Sequence, residues 1–221
     1  MTDLKAIIFD WDGTLVDSVQ RIADCLLAAA LDCDLPARAA TQYTDIIGLG
    51  MYEAIDRLYP GLSPDQVACY RDAYAVHFVH QDKAPSAFFS AVPAVLARLR
   101  GKGLKLAIAT GKSRRGLDRS LRGLEAAHWF DASRCADETA SKPDPKMLFE
   151  LCSELGCSPS EAVMVGDTEY DLEMARNAGM PSIGVNYGVH APERLALHLP
   201  RAVISDIAEL EEFMGSNGLA G

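Results

Sequence analysis

Short, near-continuous apolar runs recur along this chain with helix-patterned stretches between them: Ala6 to Phe9, Leu104 to Ala109, Ala162 to Val165, Ser182 to Val185 and Ala202 to Ile204. A strand that is apolar on both faces must be covered on both, which is the habit of parallel sheets flanked by helices. The expected fold is therefore α/β, a doubly wound, Rossmann-like parallel sheet. Three of the runs end abruptly in a polar residue: Phe9 is followed by Asp10, Ala109 by Thr110, and Val165-Gly166 by Asp167. In open parallel sheets the carboxyl ends of the strands line the ligand crevice, so these three side chains are expected to converge.

Between Asp17 and Asp82 the strand pattern disappears. Val19, Ile22, Ala23, Leu26, Leu27 and Ala30 follow the i, i+3, i+4, i+7 spacing of an amphipathic helix. A second helix is expected from Ser63, with Pro64 at its first position and Gln66 completing a capping box. Residues 17–82 thus read as a helical insert, and residues 1–16 with 83–221 as the α/β core. The last seven residues, 215–221, include three glycines and are expected to fray.

The 221 residues suffice for one large domain or a domain with an insert. Lys plus Arg number 21 and Asp plus Glu 31, a net charge of −10. That balance argues against a nucleic-acid binder, whose phosphate contacts need a basic surface. An anionic ligand must be met by local positive charge. The apolar run before Asp10, Ala6 to Phe9, is only four residues long, so neither a signal peptide nor a membrane span is expected and the protein reads as cytoplasmic. Six cysteines are scattered without Cys-x-x-Cys spacing, and all six are expected to be free thiols. Monomer and homodimer both remain open.

Four segments carry candidate chemistry. In Asp10-Trp11-Asp12-Gly13-Thr14, two carboxylates two residues apart at a strand end can face one small space, where their repulsion calls for a cation or a shared proton. Mg²⁺ suits such oxygen ligands; the plain alternative is a turn, which Asp and Gly also favour. Thr110-Gly111-Lys112-Ser113 offers a hydroxyl and backbone N–H groups to an anion, or simply a helix cap. In Ser141-Lys142-Pro143-Asp144-Pro145, the following proline holds Lys142 extended on a stiffened loop, with a plain surface lysine as the alternative, while Asp144 and Pro145 suit the cap and first position of a helix. In Gly166-Asp167-Thr168-Glu169-Tyr170-Asp171, Asp167 sits at a strand tip and Asp171 in the first turn of a helix ending at Gly179. All four carboxylates, Asp10, Asp12, Asp167 and Asp171, are expected to face one crevice, which is costly without a metal. His77 and His80 lie three apart on the second insert helix, without a carboxylate at matching spacing, and read as surface residues.

The order Asp-x-Asp-Gly-Thr, Thr, Lys-Pro and Gly-Asp-x-x-x-Asp resembles the haloacid dehalogenase superfamily, and the helical insert resembles its small cap domain. The likeness covers residues 4 to 210 and is strongest to phosphoglycolate phosphatase-like enzymes, through Val165 to Gly179 and Gly184-Val185-Asn186-Tyr187-Gly188. It implies a phosphoric monoester hydrolase with Asp10 as nucleophile, Asp12 as general acid and base, and Thr14 fixing the turn. Mg²⁺ would be held by Asp10, the Asp12 main-chain carbonyl and Asp167, with Asp171 as an outer or alternative ligand. Thr110 and Lys142, with the N–H groups of Trp11 and Gly111, would bind the phosphoryl group. Gly48, Leu49 and Gly50 resemble the family's specificity loop; an ordinary helix–helix turn is the alternative. The implied substrate is a small phosphorylated metabolite, with 2-phosphoglycolate first. One departure stands out: related enzymes commonly carry Asn where this chain has Gly111. Three rivals are weighed. A dehalogenase lacks the second aspartate, a sugar-phosphate mutase would use Asp12 equally well, and a phospho-switch receiver lacks a helical insert and is about half as long.

Overall fold

The computed structural model describes residues 4–80 and 86–214. In chain order the elements are β1 (Ala6–Phe9), α1 (Val19–Asp32), α2 (Ala40–Asp45), α3 (Met51–Leu58), α4 (Pro64–His80), α5 (Val92–Gly101), β2 (Lys105–Thr110), α6 (Arg114–Gly123), β3 (Ala132–Cys135), α7 (Lys146–Leu155), β4 (Ala162–Gly166), α8 (Glu169–Asn177), β5 (Ser182–Val185), α9 (Pro192–Ala196) and β6 (Ala202–Ile204), with short 3-10 turns between some of them. The strands form one parallel sheet in the order β3-β2-β1-β4-β5-β6. The expected doubly wound fold is what the chain adopts.

Alternate residues of the central strands bury against opposite layers. Ile7, Phe9, Leu106, Ile108, Val163 and Val165 pack with Val92, Val95, Leu96 and Leu99 of α5 and Leu117 of α6. Ala6, Ile8, Ala107, Ala109, Ala162 and Met164 pack with Met147, Leu148 and Leu151 of α7 and Met174 and Ala175 of α8. Each large side chain fully buried here contributes roughly 1.5–3 kcal/mol. The strand order reverses at β1, whose neighbours are β2 and β4, so the crevice opens beyond the ends of these three strands.

Helices α1 to α4 hold a third core of their own, built from Ile22, Leu26, Ala30, Tyr43, Ile55, Leu58 and Tyr70. Ser63 and Gln66 form the expected capping box, the Ser63 N–H donating to Gln66 Oε1 at 3.0 Å and the Gln66 N–H to Ser63 Oγ at 3.3 Å. The boundary expected at 82/83, the fraying expected at 215–221 and the His80 side chain lie outside the described residues. His77 contacts Asp32, Nε2 to Oδ2 at 2.7 Å.

One expectation is corrected, and one strand was not foreseen. Cys33 and Cys69 form a disulfide, their Cα atoms 6.2 Å apart, while Cys25, Cys135, Cys152 and Cys157 are not in disulfides. Packing of α1 against α4 brings the pair together across 36 positions, which no local spacing signals. Strand β3 carried no apolar run: Ser133 and Arg134 are only partly buried, because this strand is the sheet's edge.

Candidate active site

The register sets the site. Phe9 pairs with Ile108 of β2 and Val165 of β4, so Asp10 emerges beside the ends of both neighbours, and the Asp10 N–H donates to the Val165 carbonyl at 2.9 Å. Gly166 closes β4 and releases Asp167; Thr110 closes β2. Asp171 is the third residue of α8, where Thr168 caps the helix. The Thr168 N–H and Oγ1 donate to Asp171 Oδ2 at 3.1 and 2.7 Å, leaving Oδ1 to face the crevice.

Asp10, Asp167 and Asp171 bring one oxygen each to within 4.8 Å of one another, all three buried. Lys142 enters the cluster fully buried, its Nζ 2.5 Å from Asp10 Oδ1 and 2.6 Å from Asp171 Oδ1. The Lys142–Pro143 peptide bond is cis. Pro145 rather than Asp144 is the residue before α7, although Asp144 Oδ1 accepts from the Lys146 N–H at 2.9 Å. Thr14 Oγ1 donates to Asp167 Oδ1 at 2.7 Å and the Val189 N–H donates to Oδ2 at 2.8 Å. Gly13 and Gly188 press on the same carboxylate so closely that a Cβ on either would overlap it.

Burial pushes the Asp10 carboxyl well above its usual range; Lys142 opposes this, and the Asp171 and Asp167 charges add to it. Burial and the Asp171 charge raise Asp167 as well, against its bonds from Thr14 and Val189. Burial alone would lower Lys142, but Asp10 and Asp171 outweigh it and hold the ammonium firmly charged. One ammonium against three buried carboxylates is under-compensated, and Asp10 Oδ2 is buried without a hydrogen-bond partner among the described residues. All-oxygen donors with an orphaned carboxylate oxygen fit a hard divalent cation.

Asp12 departs from the expected four-carboxylate crevice. Its Oδ1 accepts from Ser18 Oγ at 2.6 Å and its Oδ2 meets Lys112 Nζ at 2.9 Å, so its side chain faces the insert and α6. Neither Ser18 nor the Lys112 side chain figured in the sequence reading. Lys112 stood in the Thr-Gly-Lys-Ser segment, but only that segment's backbone and hydroxyl were read. The Trp11 ring is buried, stacked edge-on against Phe88 and Phe130 with Nε1 donating to Ser120 Oγ at 3.0 Å.

Thr110 Oγ1 accepts from the Lys112 N–H at 3.2 Å, so its hydroxyl proton can turn to another acceptor. The segment holding Gly48, Leu49 and Gly50 joins α2 to α3 and lies on the core: the Gly50 N–H donates to Ser141 Oγ at 2.8 Å, beside Lys142. A Cβ on Gly111 would stand 2.5 Å from the Gly48 carbonyl oxygen and closer still to that of Leu49. Asn could not occupy position 111 in this arrangement. Among the described residues, no helix is long and apolar enough to cross a membrane.

Residues 7–185 match the haloacid dehalogenase-like hydrolase family. The chain is 33% identical to the probable phosphatase IndB of Dickeya dadantii, over 92% of this chain and 90% of that protein. It is 32% identical to a phosphoglycolate phosphatase of Vibrio cholerae, over 96% and 97%. The crystal structure of a predicted phosphoglycolate phosphatase from Haemophilus somnus superposes with a TM-score of 0.85 at 25% identity, covering 97% of this chain and all of that one. With its strand-end aspartates, buried lysine and helical insert, the chain belongs to the haloacid dehalogenase-like hydrolase family, alongside relatives named as phosphatases.

Proposed function

We propose that this protein is a Mg²⁺-dependent phosphatase that hydrolyses a small phosphorylated metabolite, 2-phosphoglycolate being the first candidate, through an aspartyl-phosphate on Asp10. One observation carries the reading: a buried lysine and three buried carboxylates, from three separate segments, meet at the switch point of the sheet. The insert is the cap over this site.

Asp10 attacks phosphorus and forms an acyl phosphate, dividing a slow displacement into two faster ones. Asp12 gives the departing alkoxide its proton and takes one from the water that attacks the acyl phosphate, which returns Asp10 to its free carboxylate. Lys142 holds Asp10 in line and offsets charge on the phosphoryl oxygens, helped by the Thr110 hydroxyl and the N–H groups of Trp11 and Gly111. Asp171, anchored by Thr168, fixes Lys142 in turn. The Asp10 and Asp167 carboxylates and the Asp12 main-chain carbonyl would hold Mg²⁺, with Asp171 beside them. When bound, the ion shields the anionic nucleophile from the anionic ester.

The test is a screen of phosphorylated metabolites with and without Mg²⁺, run beside Asp10→Asn. Mg²⁺-dependent phosphate release that Asp10→Asn abolishes supports the reading. Release from no compound, or turnover that survives the substitution, defeats it.

A further inference from the structure

The segment that joins α2 to α3 is tied at both ends to side chains of the core. A helix leaves its last carbonyls without partners of its own, and the carbonyl of Asp45, which closes α2, accepts from the Tyr170 hydroxyl at 2.7 Å. At the other end Gly50 is the N-cap residue of α3, and its N–H donates to Ser141 Oγ at 2.8 Å. Ile46 and Ile47 between them are buried in the core of the insert, so both bonds join insert to core. Tyr170 is only 3% exposed and stands in the sequence between Asp167 and Asp171. The insert meets its ring as well as its hydroxyl. The Arg57 guanidinium of α3 lies 5.4 Å from the ring centre, and a Cβ on Gly48 would stand 3.5 Å from Cδ2. From the core, His190 packs edge-on against the same ring, the centroids 5.4 Å apart. The Cβ imagined on Gly48 would also stand 3.2 Å from Thr168 Oγ1, the hydroxyl that donates to Asp171. The segment thus rests on the residue that anchors Asp171, and Asp171 holds Lys142.

We infer that Tyr170 and Ser141 are positioning residues that fasten this segment over the phosphoryl site, Tyr170 through the Asp45 carbonyl and Ser141 through the Gly50 N–H. The inference deepens the phosphatase reading and rests on it for its kinetic consequence. Both side chains act through backbone groups of the insert, so removing either hydroxyl takes no group from the carboxylate cluster. With both bonds lost, the seated state is populated only in part and an ester binds more weakly in proportion. A bound ester adds its own contacts to the seated state and makes up for the lost bonds. The loss therefore falls on KM and spares kcat.

Two measurements test it. The first is hydrogen exchange of the Gly50 amide, followed by NMR in the protein without ester. Tyr170→Phe removes one hydroxyl at the far end of the segment and should speed that exchange about threefold or more. Amides of β1 and β4 should exchange as in the wild type, which separates lifting of the segment from general unfolding. The second is steady-state kinetics in Mg²⁺ with 2-phosphoglycolate or, should the metabolite screen rank another ester first, with that ester. Tyr170→Phe combined with Ser141→Ala should raise KM about fivefold or more and keep kcat within about twofold. Gly50 exchange that Tyr170→Phe leaves unchanged, or speeds only in step with β1 and β4, overturns the inference. So does a double variant that lowers kcat at unchanged KM, or that changes neither. Wild-type protein that hydrolyses no ester removes the phosphatase reading, and Gly50 exchange still decides whether Tyr170 fastens the segment.

Discussion

Gly111 lies directly beneath the Gly48 carbonyl, so close that a Cβ at position 111 would stand 2.5 Å from the oxygen. The side chain missing at the end of the second motif is thus matched by a backbone carbonyl arriving from the insert. Gly111→Ala should push that segment off the core. Overpacking of this kind costs roughly 1–3 kcal/mol, and where closure bears it kcat/KM falls about 5- to 150-fold. The thermal midpoint of the isolated protein should move little, since an opened segment relieves the overlap. Steady-state kinetics beside a melting curve check both, and unchanged kinetics would mean that the Gly48 segment does not rest on Gly111 during turnover.

Lys142 is a counter-charge as well as a phosphate ligand. Removing one partner from a buried ion cluster typically costs about 3–5 kcal/mol, because the charges left behind keep their desolvation penalty. Lys142→Met should lose stability of that order in urea unfolding without divalent cation and lose phosphatase activity altogether. A loss below about 1 kcal/mol would mean that Lys142 is not the counter-charge that the pair Asp10 and Asp171 needs in the folded protein.

The strand ends were legible because a buried strand must finish in a polar residue where the crevice begins; Asp10, Thr110 and Asp167 needed nothing more. Asp171 followed from helix geometry, whereas the Lys-Pro pair left Lys142 little more than a stiffly held surface lysine, and only the family resemblance drew it to the phosphoryl group. The direction of Asp12 was not legible. Periodicity does not orient side chains within a turn, and the groups that draw it aside, Ser18 and Lys112, come from different segments. The Cys33–Cys69 link and the Gly111–Gly48 contact were hidden for the same reason: each is made only when elements distant in sequence pack. The edge strand β3 lacked the signal outright, since its half-buried Ser133 and Arg134 carry no apolar pattern.

Mg²⁺ should stabilise the folded protein by binding where three carboxylates meet. At a hundred times its dissociation constant the ion contributes about 2.7 kcal/mol, which for a chain of this size raises Tm by roughly 5–10 °C. The increase should vanish in Asp167→Asn. A wild-type Tm that does not respond to millimolar Mg²⁺ would count against the site, whatever the assay of activity reports.

Arg194 of α9 joins the core to the insert, donating through Nε to Glu169 Oε2 at 2.8 Å and pairing with Asp45 at the end of α2. The bond from Arg194, opposed by partial burial, lowers the Glu169 carboxyl from 4.5 to about 2. A carboxyl whose folded value is depressed adds stability that is fully present above its unfolded value and fades as pH falls towards the folded one. The window here is therefore from about pH 4.5 down to about pH 2. Because Glu169 is one-fifth exposed, solvent screening reduces the contribution to roughly 1–2 kcal/mol at neutral pH. Glu169→Gln should be less stable than wild type by that amount at pH 7, and the gap should narrow steadily below pH 4.5. Urea unfolding at pH 7, 5, 4 and 3 measures it; a gap that stays constant on acidification would show that the glutamine variant loses packing rather than charge.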